Sequence, residues 1–382
     1  MSRLDELIRE LCPDGVEYKE LCDILKIKNG RDYKSLGQGD IPVYGSGGIM
    51  TYVDAFAYDK PSVLIPRKGS VDKLYYADTP FWNVDTIFYT EINTDVVLVR
   101  YIYHCLLREH LEQYNTAGGV PSLTQKVLNK VKIPVPPIEV QSEIVHILDN
   151  FTELTAELTA ELTARKKQYE YYSNHVLAFE NAQYFALEDV CEIVDYRGKT
   201  PKKVDDGIFL ITAKNIRKGY IDYNKSQEFI PIEDYDAVMR RGLPKIGDVL
   251  ITTEAPCGNV AQIDREDIAL AQRVIKYRPK TDKLNSTFLK YILLGKEFQD
   301  KLLSASTGGT VKGIKGSKLH KLTIPVPEIH VQNQVIEFLL QLDKICNDIS
   351  EGLPAEINAR QKQYEFYRDR LLTFDERGLN KC

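Results

Sequence analysis

Hydrophobic spacing along the chain alternates between a helical and a strand period. Over 152–172, TELTAELTAELTARKKQYEYY, Leu154, Leu158 and Leu162 recur every four residues, the spacing of one helix face. Glu153, Glu157 and Glu161 take the neighbouring stripe, and the Ala, Leu and Glu of the run favour helix with no Gly or Pro to interrupt them. Because a four-residue repeat slightly outruns the turn, the leucine stripe drifts slowly around the axis. Ile144, Ile147, Leu148 and Phe151 extend the stripe upstream and predict one helix over 139–179. Such a helix is roughly 60 Å long, too long to bury on one small domain, so it needs a helical partner. A second long helix is expected over 328–374, from Val335, Ile336, Leu339, Leu342, Ile345 and Ile349, with a break or kink at Gly352-Leu-Pro354.

Between these stretches the pattern turns to short strands bounded by Gly, Pro or Asp: 41–44, 62–65 and 86–89, then 208–212, 249–253 and 274–277. Helical spacing returns briefly at 99–114 and 288–303. The two sets are copies. IPVP at 133–136 recurs at 324–327, KQYEYY at 167–172 as KQYEFY at 362–367, Gly118-Gly119 as Gly308-Gly309, and LAF at 177–179 as LTF at 372–374. The offset grows from 191 at IPVP to 195 at KQYE, so the helices differ by four residues, about one turn. The expected fold class is α+β, with two mixed α/β domains joined by two long antiparallel helices and related by an internal pseudo-two-fold repeat. The expected segments are 1–133, a first domain with a short N-terminal helix; 134–184, a helical spacer; 185–323, a second domain; and 324–382, a second helical spacer.

Charge refines this picture. The net charge of −5 disfavours a polyanion partner at first sight, but it is unevenly shared. Lys and Arg exceed Asp and Glu by five over 185–323 and fall short by five over 134–184. Neutral-to-basic compact segments with acidic helices suit a protein whose domains touch nucleic acid while its helices touch protein. Hydrophobic content of 43% and charged content of 27% are those of a soluble globular chain of 382 residues. No apolar run approaches the ~20 residues of a membrane span. The amphipathic, acidic N-terminus lacks the apolar core of a signal peptide. Seven cysteines without C-x-x-C spacing point to free thiols in a reducing cytoplasm and away from zinc.

Catalytic signatures are missing. There is no HExxH, GxSxG, Walker A or Asn-Pro-Pro-aromatic sequence, and Pro13-Asp14 with Glu17-Tyr-Lys19 is spaced too closely for a nuclease PD…ExK pair around one metal. His104 and His110 lie six apart on one expected helix, not the four that would share a metal, so neither a metal nor another cofactor is expected. Basic and polar residues in Gly-containing loops are the stronger signal. Lys and Arg neutralise phosphates, and loop glycines let backbone N–H groups approach them. Each such cluster alone reads as solvated surface; five of them, at 67–70, 197–203, 214–218, 240–241 and 312–315, in two repeated domains shift the balance toward DNA. The candidate DNA contacts are Ser46, Arg67, Lys68 and Ser70 in the first domain. In the second they are Lys199, Lys202, Lys203, Lys214, Asn215, Arg217, Gln272, Arg273, Lys312 and Lys315. Among them Asn215, Arg217, Gln272 and Arg273 have side chains of the kind that read base edges.

The TAEL repeat, the two KQYE-aromatic-Tyr blocks, SEGLPA at 350–355, GDVLI at 247–251 and PSVLIPRKGS at 61–70 together make the chain resemble the specificity (S) subunits of type I restriction-modification systems. The resemblance covers essentially the whole chain. It implies a non-catalytic, cytoplasmic subunit with two target-recognition domains, each reading one half of a bipartite double-stranded DNA sequence. It also implies two helical regions that pair antiparallel and hold two methyltransferase subunits, with motor-endonuclease subunits joining through the complex. Tyr169, Tyr172, Tyr364 and Tyr367 are the expected methyltransferase contacts, because aromatics favour interface cores. Two alternatives stay open: a subunit of a related type II system, and a coiled-coil scaffold that binds only protein. A self-contained enzyme is disfavoured by the missing motifs, and salt-dependent DNA binding would separate recognition from scaffolding.

Overall fold

The run of leucines does form a helix, and it is the longest element of the chain. The computed structural model describes residues 2–115, 119, 121–179, 182–196, 201–308, 312–347 and 352–378. In it the helix Ile138–Val176 is 39 residues long, with Leu154, Leu158 and Leu162 half-buried and Glu153, Glu157 and Glu161 exposed. The chain packs as two compact units, one of residues 1–160 with 355–382 and one of 161–354. The long helix gives its first part to one unit and its last part to the other.

Unit one contains strands β1 (Glu17–Glu20), β2 (Leu25–Lys28), β3 (Ile41–Gly45), β4 (Gly48–Val53), β5 (Ser62–Pro66), β6 (Tyr75–Ala77), β7 (Trp82–Asn83), β8 (Ile87–Ile92) and β9 (Lys132–Val135). They form sheets of order β2-β8-β5-β6, β4-β3-β7 and β1-β9, all antiparallel except the β3–β7 pair. β5 is buried at every position, which explains its unbroken apolar run: a strand covered on both faces does not alternate. Helix Val99–Arg108 lays Tyr101, Ile102, Cys105 and Leu106 into one core with Val63, Ile65 and Phe88. Val140, Ile144 and Leu148 of the long helix, and Leu372 near the end of the chain, complete that core.

Unit two contains β10 (Tyr184–Ala186), β11 (Cys191–Asp195), β12 (Ile208–Ile211), β13 (Phe229–Ile230), β14 (Val249–Thr253), β15 (Cys257–Gln262), β16 (Ile268–Leu270), β17 (Val274–Pro279) and β18 (Thr323–Pro325). Its sheets run β11-β17-β14-β15, β13-β12-β16 and β10-β18. Strand for strand this is the order of unit one, down to a parallel β12–β16 pair where unit one has β3–β7. The sequence duplication is therefore a duplication of topology. Only part of it shows in the hydrophobic pattern: ten of these eighteen strands are two to four residues long, too short to display a period.

Two expected helices are broken, and the closing one divides as its Gly352-Leu-Pro354 sequence predicts. The stretch 99–114 is helix Val99–Arg108 followed by a left-handed His110 (φ 46°) and a separate 3-10 turn Leu111–Tyr114. The stretch 288–303 divides at Gly295 into Ser286–Leu294 and Lys296–Ala305, since Gly295 leaves the helical region and starts the next helix. The closing stretch divides into Ile329–Asn347 and Leu353–Leu371, with Pro354 in the first turn of the latter, where its missing N–H costs nothing. Part of the Ser350–Ala355 motif lies outside the described residues. Among the described residues no helix is long and apolar enough to cross a membrane.

One buried side chain per unit ties compact domain to long helix. Gln141 is fully buried and accepts the Leu98 N–H at 2.9 Å, while its amide donates to the Val96 and Pro136 carbonyls at 3.0 and 2.8 Å. Gln332 does the same in unit two, accepting from Asn285 N–H at 2.9 Å and donating to the Lys283 and Pro327 carbonyls at 2.7 Å each. Each glutamine thus joins the first turn of a spacer helix to the start of a domain helix. Gln332→Leu keeps the volume but leaves one N–H and two carbonyls unpaired. We expect urea unfolding to show a loss of about 3 kcal/mol or more. A loss under about 1 kcal/mol would mean that water satisfies these groups instead.

Candidate nucleic-acid interface

In unit one the strands end in loops that meet at a single residue, Thr86. The Arg67 N–H donates to the Thr86 carbonyl at 2.8 Å as β5 runs into Arg67-Lys-Gly-Ser70. The turn between β3 and β4 arrives from another side: the Ser46 N–H donates to Thr86 Oγ1 at 3.3 Å, and the Tyr75 hydroxyl donates to the Ser46 carbonyl at 3.2 Å. A third segment closes the group, with Gly69 N–H on Pro121 O at 3.0 Å and Leu123 N–H on Arg67 O at 2.9 Å. Gly69 takes φ 83°, and a Cβ there would sit 3.7 Å from Ser46 Oγ. Gly47 faces open space. The junction carries Ser46, Arg67, Lys68 and Ser70 together; Lys68 is exposed, and the Arg67 guanidinium lies 5.6 Å from the Phe88 ring centre.

Unit two repeats the junction with different side chains. Thr253 N–H donates to Arg273 O at 2.9 Å and Ile314 N–H to Thr253 O at 3.0 Å, so Arg273 stands where unit one has Thr86. Glu254 bridges Gly313 as Lys68 bridges Ser122. Ala271 N–H on Ile211 O, at 2.9 Å, brings the loop after β12 alongside. Arg273 is left-handed (φ 71°), about half exposed, and paired with Glu254 at 3.4 Å. An exposed pair of this kind is worth ~0–1 kcal/mol, so it can be exchanged for a phosphate at little cost. Lys312 and Lys315 are exposed on the same third segment.

The remaining candidates divide. Lys203 is held by Glu228 at 2.6 Å; burial would raise the Glu228 carboxyl, but Lys203, helped by Lys214, holds it below its ordinary range. Lys202 and Lys214 are exposed, and Arg217 lies 3.5 Å from Asp222. Gln272 lines a cleft with Tyr196, Arg240 and Arg241. Lys199 lies outside the described residues. Asn215 must be removed from the set. It is fully buried, its Oδ1 accepts from Thr212 N–H and Oγ1, and its Nδ2 donates to the Asp222 and Ser226 carbonyls at 3.1 and 2.9 Å. Its hydrogen-bonding capacity is spent on shaping its own loop. The same turn exposes apolar side chains: the Met50 thioether lies over Gly45, 2.5 Å from where a Cβ would be, and Ile49 and Tyr52 beside it are also exposed. The only sequence signal was an apolar run following Gly47-Gly48.

The four tyrosines also divide. Tyr364 is buried, and its hydroxyl sits 2.9 Å from His104 Nδ1. His104 Nε2 lies 2.8 Å from Asp149 Oδ1, and Arg100 grips the same carboxylate through Nε at 3.1 Å and Nη2 at 2.5 Å. Tyr169 is half-buried beside Asp343, which takes the Tyr291 hydroxyl at 2.6 Å. Neither Tyr364 nor Tyr169 can be a free docking residue. Tyr367 stacks on Phe151 at 5.2 Å and Tyr172 meets Phe338 edge-on at 6.0 Å, but both keep more than a third of their surface. Their neighbours Tyr171 and Phe366, at matching places in the two KQYE blocks, are the more exposed at 66% and 61%.

Comparison with known proteins agrees with this geometry. The family described as "Type I restriction modification DNA specificity domain" matches residues 13–165 and again 180–359. The EcoR124I/EcoR124II type I restriction enzyme specificity subunit of Escherichia coli is 34% identical over 313 residues, 75% of this chain and 73% of that one. The type I restriction-modification S subunit from M. genitalium superposes with a TM-score of 0.58 at 14% identity, covering 94% of this chain and 96% of that one. A chain from the complex assembly and conformational transition of the type I R-M system gives 0.60 at 14%, covering 94% and 98%. At that identity the two structures establish the fold.

Lys68→Ala should weaken duplex binding and lower its salt slope by about one while leaving stability unchanged, whereas Asn215→Ala should cost about 2–4 kcal/mol of stability. Stable Asn215→Ala protein that no longer binds DNA would return Asn215 to the interface. A pH profile tests the His104 contact. Burial lowers the His104 pKa below its ordinary 6.5, against the pull of Asp149 and with Arg100 and Arg368 adding to the lowering; Tyr364 and Tyr103 complete its surroundings. Unfolded chain therefore takes the proton first, so the contribution of His104 is intact above about 6.5 and drains away as pH falls toward its folded value. His104→Gln can keep both hydrogen bonds without titrating. Wild type should lose more melting temperature than His104→Gln between pH 7.5 and 5.5; equal losses would show that His104 does not carry the pH dependence.

Proposed function

Since the chain belongs to the type I restriction-modification DNA specificity family, we propose that it is the non-catalytic subunit that reads a bipartite double-stranded DNA target, one half-site per domain. The observation that carries this reading is the three-loop junction built twice on one topology, around Thr86 and around Arg273. Matching scaffolds with different loop side chains, Lys68 against Glu254 and Thr86 against Arg273, suit two half-sites of different sequence. The segments 1–133 and 185–323 are the recognition domains, and 134–184 and 324–382 the helical spacers. The spacers pair antiparallel and relate the domains by a pseudo-two-fold axis. Support comes from Phe151 on Tyr367 in unit one and Tyr172 on Phe338 in unit two.

Two methyltransferase subunits dock on the helices, and motor-endonuclease subunits join through them. Each unit offers its own docking residues, Phe366 and Tyr367 in unit one and Tyr171, Tyr172, Leu340 and Ile345 in unit two, all exposed apolar side chains on spacer helices. No cofactor is needed for recognition.

In this reading the TAEL run sets the distance between half-sites. One further Leu-Thr-Ala-Glu unit lengthens a helix by ~6 Å and turns the remainder of that helix by about 40°. The duplex rises ~3.4 Å per base pair, so the change equals one or two base pairs. Inserting one unit after Leu162 should lengthen the non-specific spacer of the methylated sequence and leave both half-sites unaltered. Genome-wide methylation mapping checks it, and an unchanged spacer or altered half-sites would sink the ruler.

A further inference from the structure

Tyr364 and Tyr169 hold the same place in the two KQY blocks, and each ends on a carboxylate-centred clasp. In unit one the clasp joins three elements: Tyr364 on Leu353–Leu371, His104 on Val99–Arg108, and Asp149 on the long helix. In unit two Asp343 on Ile329–Asn347 takes the hydroxyl of Tyr291 of Ser286–Leu294 at 2.6 Å, and Tyr169 of the long helix lies beside the same carboxylate. His104 and Tyr291 are counterparts, each six residues past the backbone N–H that the buried glutamine fixes, Leu98 or Asn285. In both units a domain helix, the spacer helix that follows that domain and a helix of the other repeat therefore meet around one carboxylate, Tyr364 reaching Asp149 only through His104. The chemistry differs, an imidazole relay in one and two phenols in the other, but the connection is the same.

Apolar contacts between helices tolerate small slides and rotations because burial has no direction. A buried hydrogen bond tolerates neither. The first clasp is stiffened further: Arg100 binds Asp149 while its guanidinium lies 4.6 Å from the Tyr76 ring centre and 5.1 Å from that of Tyr103.

We propose that the two clasps, Tyr364–His104–Asp149 and Tyr169–Asp343–Tyr291, are positioning residues that fix the angle at which each domain leaves its helix pair, and so set how strictly the spacer length is read. This rests on the two-half-site reading above. Shifting a half-site by one base pair moves it ~3.4 Å along the duplex and turns it about 35°. A domain locked by its clasp cannot follow; one held only by apolar packing can.

The test is methylation mapping in cells whose full-length chain carries Tyr364→Phe, Tyr169→Phe or both, which remove the hydroxyls and keep the rings. Leu339→Ala, at a fully buried core position of unit two, serves as a purely structural control. The expected result is unchanged half-sites with methylation at sites one base pair too short or too long raised roughly tenfold, about the worth of one buried hydrogen bond. The control should lower methylation at all sites without relaxing spacing. Off-spacer methylation that stays at the wild-type level in the variants, or rises equally in Leu339→Ala, would overturn the clasp. If the double variant fails to accumulate, the two single variants decide by the same ratio. A wild-type methylome without a two-part motif would overturn the half-site reading, and the clasp with it, before any variant is compared.

Discussion

A buried glutamine amide at the root of each spacer helix is the constraint on which the architecture rests. Gln141 and Gln332 each satisfy three backbone groups that a domain-to-helix junction would otherwise bury unpaired. The requirement is geometric as well as energetic. One amide can reach the preceding proline carbonyl and the start of the domain helix only when the spacer leaves at one angle. PPIEVQ and PEIHVQ, at 136–141 and 327–332, are the sequence trace of that requirement.

Polar groups hold the other fixed points. In unit two Asp248, nearly fully buried, takes Arg278 at 2.6 Å and Lys276 at 3.4 Å, and so anchors the turn that feeds β14 toward its loop junction. Burial lowers the Lys276 pKa even beside that carboxylate. Such groups contribute direction where apolar packing contributes bulk energy, and breaking one partner leaves a charge stranded. The clasps of Asp149 and Asp343 follow the same rule. Burial would raise the Asp149 carboxyl, but His104 and Arg100 hold it below its ordinary range.

Cations at the loop junctions are less fixed. Arg273, Arg217 and Lys203 each lie beside a carboxylate in the absence of DNA. A phosphate can replace Glu254 on Arg273 because that pair is about half exposed, while Asp222 and Glu228 are mostly covered. Unit one has no such carboxylate on Lys68 among the described ion pairs. The two domains therefore offer one scaffold with different electrostatics.

The sequence by itself determined the long helix, the central strands β3, β5, β12 and β14, and the duplication. Periodicity and repeat are local properties, and Leu154, Leu158 and Leu162 express them without reference to any partner. It also placed Arg67, Lys68 and Lys312 on loops. It did not show that these loops converge, because the contacts run mostly through backbone carbonyls that any residue carries, with only the Thr86 hydroxyl adding a side chain. Nor did it separate Asn215 from Arg217, two polar residues in one loop: only tertiary packing turned the first inward. Tyr364 and Tyr171 are aromatic residues in matching motifs on helices, yet one is buried in a clasp and the other bare. What decided between them was which helix face met His104, a contact 260 residues apart in sequence that no local pattern encodes.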